Sequence, residues 1–232
     1  MKYLKIVMAL NFLVLTLNAY NHYDWDRDSF LTGNENFFQE RNKITFTSIK
    51  LFSIKDLYQN FIEYENNYCK LSYQNIQYSF YHENGLGLYS RKYKIGGLSF
   101  AAAYHLFHEK INRTSVHENI PALFISFEKN NVRIKTHYRK QEKGLSLTFH
   151  QNKNCLSLNI KKIKKGKELF DNSLFLCYQV DKNLIISFKY HFQKSELTSF
   201  LHFIIKKTKL IIGVKEHPIL RSTYFISLEH TL

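Results

Sequence analysis

Cysteine is scarce and odd in number. The 232 residues contain three, Cys69, Cys155 and Cys177. An odd count excludes a fully paired intramolecular framework, and three is far from the density of a disulfide scaffold. No C-x-x-C occurs, which excludes a zinc knuckle and a thioredoxin-like redox motif. Cys155 and Cys177 both fall in strand-like runs, where a cysteine behaves as a small hydrophobe. Long apolar runs are also missing. Beyond the first 19 residues no stretch approaches the roughly 20 apolar residues a membrane helix needs. Glycine (8) and proline (2) are few, while Lys, Asn, Ile, Phe and Tyr are plentiful, as AT-rich coding would give. No H-E-x-x-H, G-x-S-x-G or P-loop is present, so no enzyme class is marked and the chain reads as a non-enzyme with no cofactor.

What is present begins with an export signal. Lys2 and Lys5 precede an apolar run, Ile6 to Leu17, interrupted by Asn11 and Thr16. Leu17-Asn18-Ala19 is an acceptable cleavage site, so residues 1–19 read as a signal peptide. The formal net charge is +14, and the signal carries two lysines and no acids, so the remainder keeps +12. Such a surplus fits coding bias, or attraction to negative charge, whether small anions, acidic glycans or acidic lipid headgroups; nucleic acid is not expected, because no motif for it appears. Residues 20–42 are polar and aromatic without period and read as a loosely ordered N-terminal segment. Asp24, Asp26 and Asp28 alternate like the start of a calcium loop. Ser29 stands where that loop needs glycine, so a solvated acidic segment is the better reading and no metal is expected.

From residue 43 the chain becomes a series of alternating runs. Val132-Arg133-Ile134-Lys135-Thr136-His137-Tyr138-Arg139 is the cleanest: every odd position is cationic and the even ones are mostly apolar. Successive strand side chains point to opposite faces, so this run has one apolar and one charged face. Leu145 to Phe149, Leu156 to Ile160, Leu174 to Val180, Leu184 to Phe192, 197–206, 209–216 and 222–232 repeat it. The breaks between them are Lys129-Asn130-Asn131, Gln141 to Gly144, Gln151 to Asn154, a basic loop from Lys161 to Lys167, Asp181-Lys182-Asn183 and the segment holding Pro218. Upstream, Leu98, Phe100, Ala102, Tyr104 and Leu106 share a face. Residues 108–119 read as a polar connection, and Glu83-Asn84-Gly85 as a turn. The phase change between Cys69-Leu71-Tyr73 and Ile76-Tyr78-Phe80 reads as a turn or bulge at Gln74-Asn75. Residues 55–66 fit a helical turn as well as a strand. The sum is about 12 strands, within a range of roughly 10–14.

Runs of this length cross a bilayer when tilted. Aromatics make up 16% of the chain, and Tyr93, Phe107, Phe127, Tyr138, Phe149 and Phe192 sit at strand ends, where interfacial girdles lie. The chain closes on a strand with Tyr224, Ile226, Leu228 and Leu232 on one face. In these features residues 68–232 resemble the bacterial outer-membrane β-barrel proteins. The departures are the final Leu232 where an aromatic is usual, His230 interrupting the face, few glycines and a high basic charge. The resemblance implies an all-β antiparallel up-and-down meander over 43–232, closed into one membrane barrel. It also implies location in the outer membrane, with lipid and the barrel-assembly machinery as partners and a role as a small channel or a surface structural protein. Alternation alone fits a soluble exported β-rich module equally well, with the apolar face inward and the basic face recognising polyanions. If the apolar face meets lipid, Arg133, Lys135, His137, Arg139, Lys161, Lys189 and His191 line the lumen, and a ring of cations favours anions. His105 and His108, three apart, fall on opposite strand faces and make a poor metal pair.

Overall fold

The computed structural model describes residues 42–232, with positions 80, 113, 140, 141, 153 and 166 outside it, and for 164–169 it gives the backbone alone. The signal-peptide reading and nearly all of the loosely ordered N-terminal segment lie outside the described residues. The strands in chain order are β1 (Lys43–Lys50), β2 (Tyr58–Glu65), β3 (Cys69–Tyr78), β4 (Tyr81–Ser90), the short β5 (Tyr93–Ile95), β6 (Leu98–Ile111), β7 (Thr114–Lys129) and β8 (Val132–Arg139). They continue as β9 (Glu142–Gln151), β10 (Asn154–Lys165), β11 (Lys167–Gln179), β12 (Leu184–His191), β13 (Glu196–Ile205), β14 (Thr208–Glu216) and β15 (Thr223–Thr231).

Every neighbouring pair is antiparallel. β4 pairs with β6, while β5 only flanks β6 in the hairpin between them. β1 pairs with β15 along its whole length, Lys43 facing Thr231 and Lys50 facing Tyr224. The meander therefore closes on itself, and fourteen strands make the wall. Closure leaves no strand edge, the condition under which strands can cross lipid. The helical content of the described residues is one 3-10 turn, Leu51–Ser53.

Several sequence expectations are corrected by this ladder. Residues 58–65, which fitted a helical turn and a strand alike, are a regular strand paired along both edges. β3 runs unbroken through Gln74-Asn75. Its phase change arises because Leu71 and Tyr73 face outward whereas Ile76 packs into an apolar cluster inside the barrel. Glu83-Asn84-Gly85 lies within β4. Gly85 is there for its size, since a Cβ would stand 2.7 Å from Cγ of Gln74 on the neighbouring strand. Gly144 likewise belongs to β9, pressed against the His137 ring. The polar connection 108–119 is the far part of the β6–β7 hairpin, paired from His108–His117 to Ile111–Thr114. The basic loop at 161–167 belongs mostly to β10, which continues to Lys165. In each case polar residues suggested a break where cross-strand pairing extends the ladder. Phe107 points inward, not into an outer girdle, and packs with Ile120.

Candidate functional site: the inner wall of the barrel

The outward face is apolar. Phe46, Ile62, Leu88, Leu123, Tyr138, Leu145, Phe188 and Ile226 are each about half exposed, and similar residues continue around the wall. On β6 the outward residues run from Leu98 to Leu106, about 27 Å of strand at 3.4 Å per residue, or about 20 Å of depth at a 40° tilt. A continuous apolar belt of that height exceeds any patch a soluble monomer exposes. The inward face is the polar one. Thr45, Thr47, Gln59, Ser72, Ser157, Ser187, Thr223 and Ser227 are buried there. The faces are therefore disposed as in a membrane barrel and opposite to a soluble one.

The inner side chains bond to one another around the circumference. Thr47 and Ser227 share a hydrogen bond of 2.7 Å between β1 and β15, and Lys43 pairs with Glu65 at 3.2 Å between β1 and β2. Lys70 meets Glu63 at 3.4 Å, the Gln74 amide donates to Glu83, and His105 bonds the Tyr89 hydroxyl at 3.0 Å. On the other side His137 meets Glu142, and Thr148 bonds Ser157 at 2.6 Å. Farther round, Asp171 meets His191 at 3.1 Å, Ser187 bonds His202 at 2.7 Å, and Lys215 pairs with Glu196 at 2.7 Å. A buried polar group without a partner is costly, so cross-strand bonding is what lets this wall be polar and closely packed at once. Between β6 and β7 the wall is instead apolar, with Ala101, Ala103, Ala122 and Phe124 packed beside Tyr89.

All seven cationic candidates project from inward positions of their strands. Arg139, His137, Lys161, Lys189 and His191 are buried, while Arg133 and Lys135 are half-buried toward the end where β1 begins and β15 finishes. Acids stand among them: Arg133 forks onto Glu128 at 2.8 and 3.0 Å, His137 meets Glu142, and His191 meets Asp171. Periodicity did not forecast those partners, because Glu142 and Asp171 lie in segments that read as polar breaks or precede the legible run. Among the described residues the buried cations Lys43, Lys70, Arg139, Lys161, Lys189 and Lys215 are matched by the buried acids Glu63, Glu65, Glu83, Glu142, Asp171 and Glu196. The buried wall is thus mixed in charge.

The end where β1 finishes and β15 begins carries an apolar cluster inside the barrel. The β1–β2 connection carries Leu51, Phe52 and Leu57 into the barrel, where they cluster with Ile49, Phe61, Ile76, Tyr81, Phe200, Ile211 and Phe225. The Phe52 amide donates to the Thr223 hydroxyl at 3.0 Å, and the Ser53 hydroxyl donates to the Ser222 carbonyl at 2.8 Å. Phe52 (φ 51°) and Ser53 (φ 53°) both adopt left-handed backbone, which side chains disfavour. Packing of the apolar side chains offsets that cost. The signal in the sequence was the slipped phase at Ile49, which marks the point where apolar residues change from the outer to the inner face.

A closed fourteen-strand wall, apolar outside and polar inside, defines a transmembrane β-barrel of the bacterial outer-membrane class. The solved structures agree in fold. The barrel superposes on a mutant of the Rhodopseudomonas blastica porin with a TM-score of 0.51 and 7% identity, covering 83% of this chain and 99% of that one. It superposes on the Pseudomonas putida toluene transporter TodX with a TM-score of 0.56 and 9% identity, covering 84% and 90%. No family model matches the chain, and no curated protein matches it in sequence.

Proposed function

We propose that the protein is an outer-membrane channel, closed in the state described by the apolar cluster under the β1–β2 connection. The observation that carries this is the polar lining: hydrogen-bonding side chains face the interior of a closed wall whose exterior is apolar. A solute path in a barrel needs that disposition. The seven basic positions add a selectivity. Arg133 and Lys135 stand nearest the end where β1 begins and β15 finishes, and Arg139, Lys161, Lys189, His137 and His191 lie deeper. The acids beside them temper the field, so the preference is for anions and is weak. Small anions or acidic glycan fragments are the solutes such a wall would favour, and the role is passage, not catalysis.

Planar-bilayer recording tests this. The wild-type protein is expected to show rare, small openings. Phe52→Gly, which removes the plug's central ring, is expected to open more often, with a reversal potential in a salt gradient on the anion side. Cation preference in that variant would sink the selectivity. Silence in both proteins, with the barrel intact on unboiled gels, would favour the second reading, a surface structural barrel. The observation favouring that alternative is the near-complete burial of the inner side chains, as in small barrels that are filled and not open.

A further inference from the structure

Alternation placed Cys155 and Cys177 in separate strands, each as a small hydrophobe. The ladder brings them together: they are directly opposite each other in the β10–β11 pairing. Both occupy inward positions, in line with Ser157, Asn159, Ser173 and Phe175. Directly opposed residues of an antiparallel pair have Cα atoms about 4.5 or 5.5 Å apart, depending on the type of pair. Either value falls inside the roughly 4.4–6.8 Å that a disulfide spans, so no backbone movement is required. Cys69, the third thiol, begins β3, several strands away.

The surroundings suit exchange chemistry as well as packing. Both cysteines are only partly buried, near the end where β1 begins and β15 finishes, so a dissolved oxidant can reach them. His150 faces Cys155 from β9, and its Nε2 is buried without a hydrogen-bond partner. An imidazole beside a thiol, with an unused ring nitrogen, can accept the proton that thiolate attack requires.

We infer that Cys155 and Cys177 form a cross-strand disulfide on the inner wall, made by thiol–disulfide exchange. One thiol gives its proton to His150 and attacks the disulfide of an external oxidant, either a protein disulfide or a small-molecule one. The other sulfur then displaces the oxidant from the mixed disulfide. Two thiols lose two protons and two electrons, one S–S bond forms, and the oxidant's S–S bond is reduced to thiols. The bond ties β10 to β11 at that end of the barrel. It does not depend on whether the barrel conducts, so it stands or falls separately from the channel reading.

The test uses the full chain folded in detergent with all thiols reduced. Treatment with oxidised glutathione, then denaturation in iodoacetamide, is expected to leave only Cys69 alkylated and to join the peptides holding Cys155 and Cys177, about 2 Da below their summed thiol masses. Reductant should restore alkylation at all three. Cys155→Ser removes the resolving thiol, so Cys177 is expected to be alkylated or to carry glutathione and never to be joined to another peptide of the chain, which shows that the internal bond is pairwise. His150→Gln should slow bond formation at neutral pH several-fold without abolishing it. Alkylation of both Cys155 and Cys177 after oxidation of folded barrels would overturn the inference. So would a cross-linked dimer through Cys69 with the other two thiols still free.

Discussion

Single residues on the two faces of β10 carry opposite burdens. Leu158 points to the outside and Ser157, one position earlier, to the inside. Leu158→Arg is expected to lower unfolding free energy in lipid vesicles by about 2–4 kcal/mol, the cost of a lipid-facing cation near the midplane. Urea titration of the vesicle-inserted protein measures it, and an unchanged midpoint would place that face away from lipid. Gly144 tests the interior. A Cβ there would stand 2.0 Å from Cε1 of His137, so Gly144→Ala must drive the ring from its place beside Glu142. The expected loss is about 1–3 kcal/mol, the usual cost of overpacking, in the same titration. That tight spot could not be read from the sequence. Glycine in a run of polar residues signals a turn as strongly as it signals a close approach, and only the side chain on the next strand decides between them.

At the scale of elements, the first and last strands depend on each other. β15 covers the edge of β1 that β2 leaves, and it pairs with β14 on its other side. Removing residues 223–232 should therefore expose two strand edges to lipid and abolish the folded band seen in unboiled samples, without lowering synthesis. A truncated protein that still shifts on boiling would contradict closure through this pair. The β1–β2 connection is the opposite case, because it packs into the barrel without belonging to the wall. Phe52→Gly is expected to alter conductance while the folded band persists. The late strands were legible because turn residues separate runs that keep one phase. β2 and the far half of the β6–β7 hairpin were obscured, since β2 alternates Phe61 inward with Ile62 outward and the hairpin's far half is polar on both faces.

For the whole molecule, the disposition of faces predicts behaviour in membranes. The protein is expected to stay with the outer-membrane fraction through an alkaline carbonate wash and to migrate differently before and after boiling; release by carbonate would contradict an integral barrel. Alternation of period two, present throughout residues 132–192, determined by itself that the chain forms strands with one apolar and one polar face, because strand geometry leaves no other arrangement of such a pattern. It also placed seven cations on one side. Which side was the interior depended on closure. Joining β1 to β15 put the bulky residues outside and the hydroxyls, acids and lysines within, a choice that a one-dimensional period does not contain. Tertiary structure alone likewise set acids beside the cations, carried Phe52 inward, and brought Cys155 to Cys177 across twenty-two positions of chain. Each is a contact between strands, and register across the sheet follows from the closed geometry of the whole wall, not from any run of residues within it.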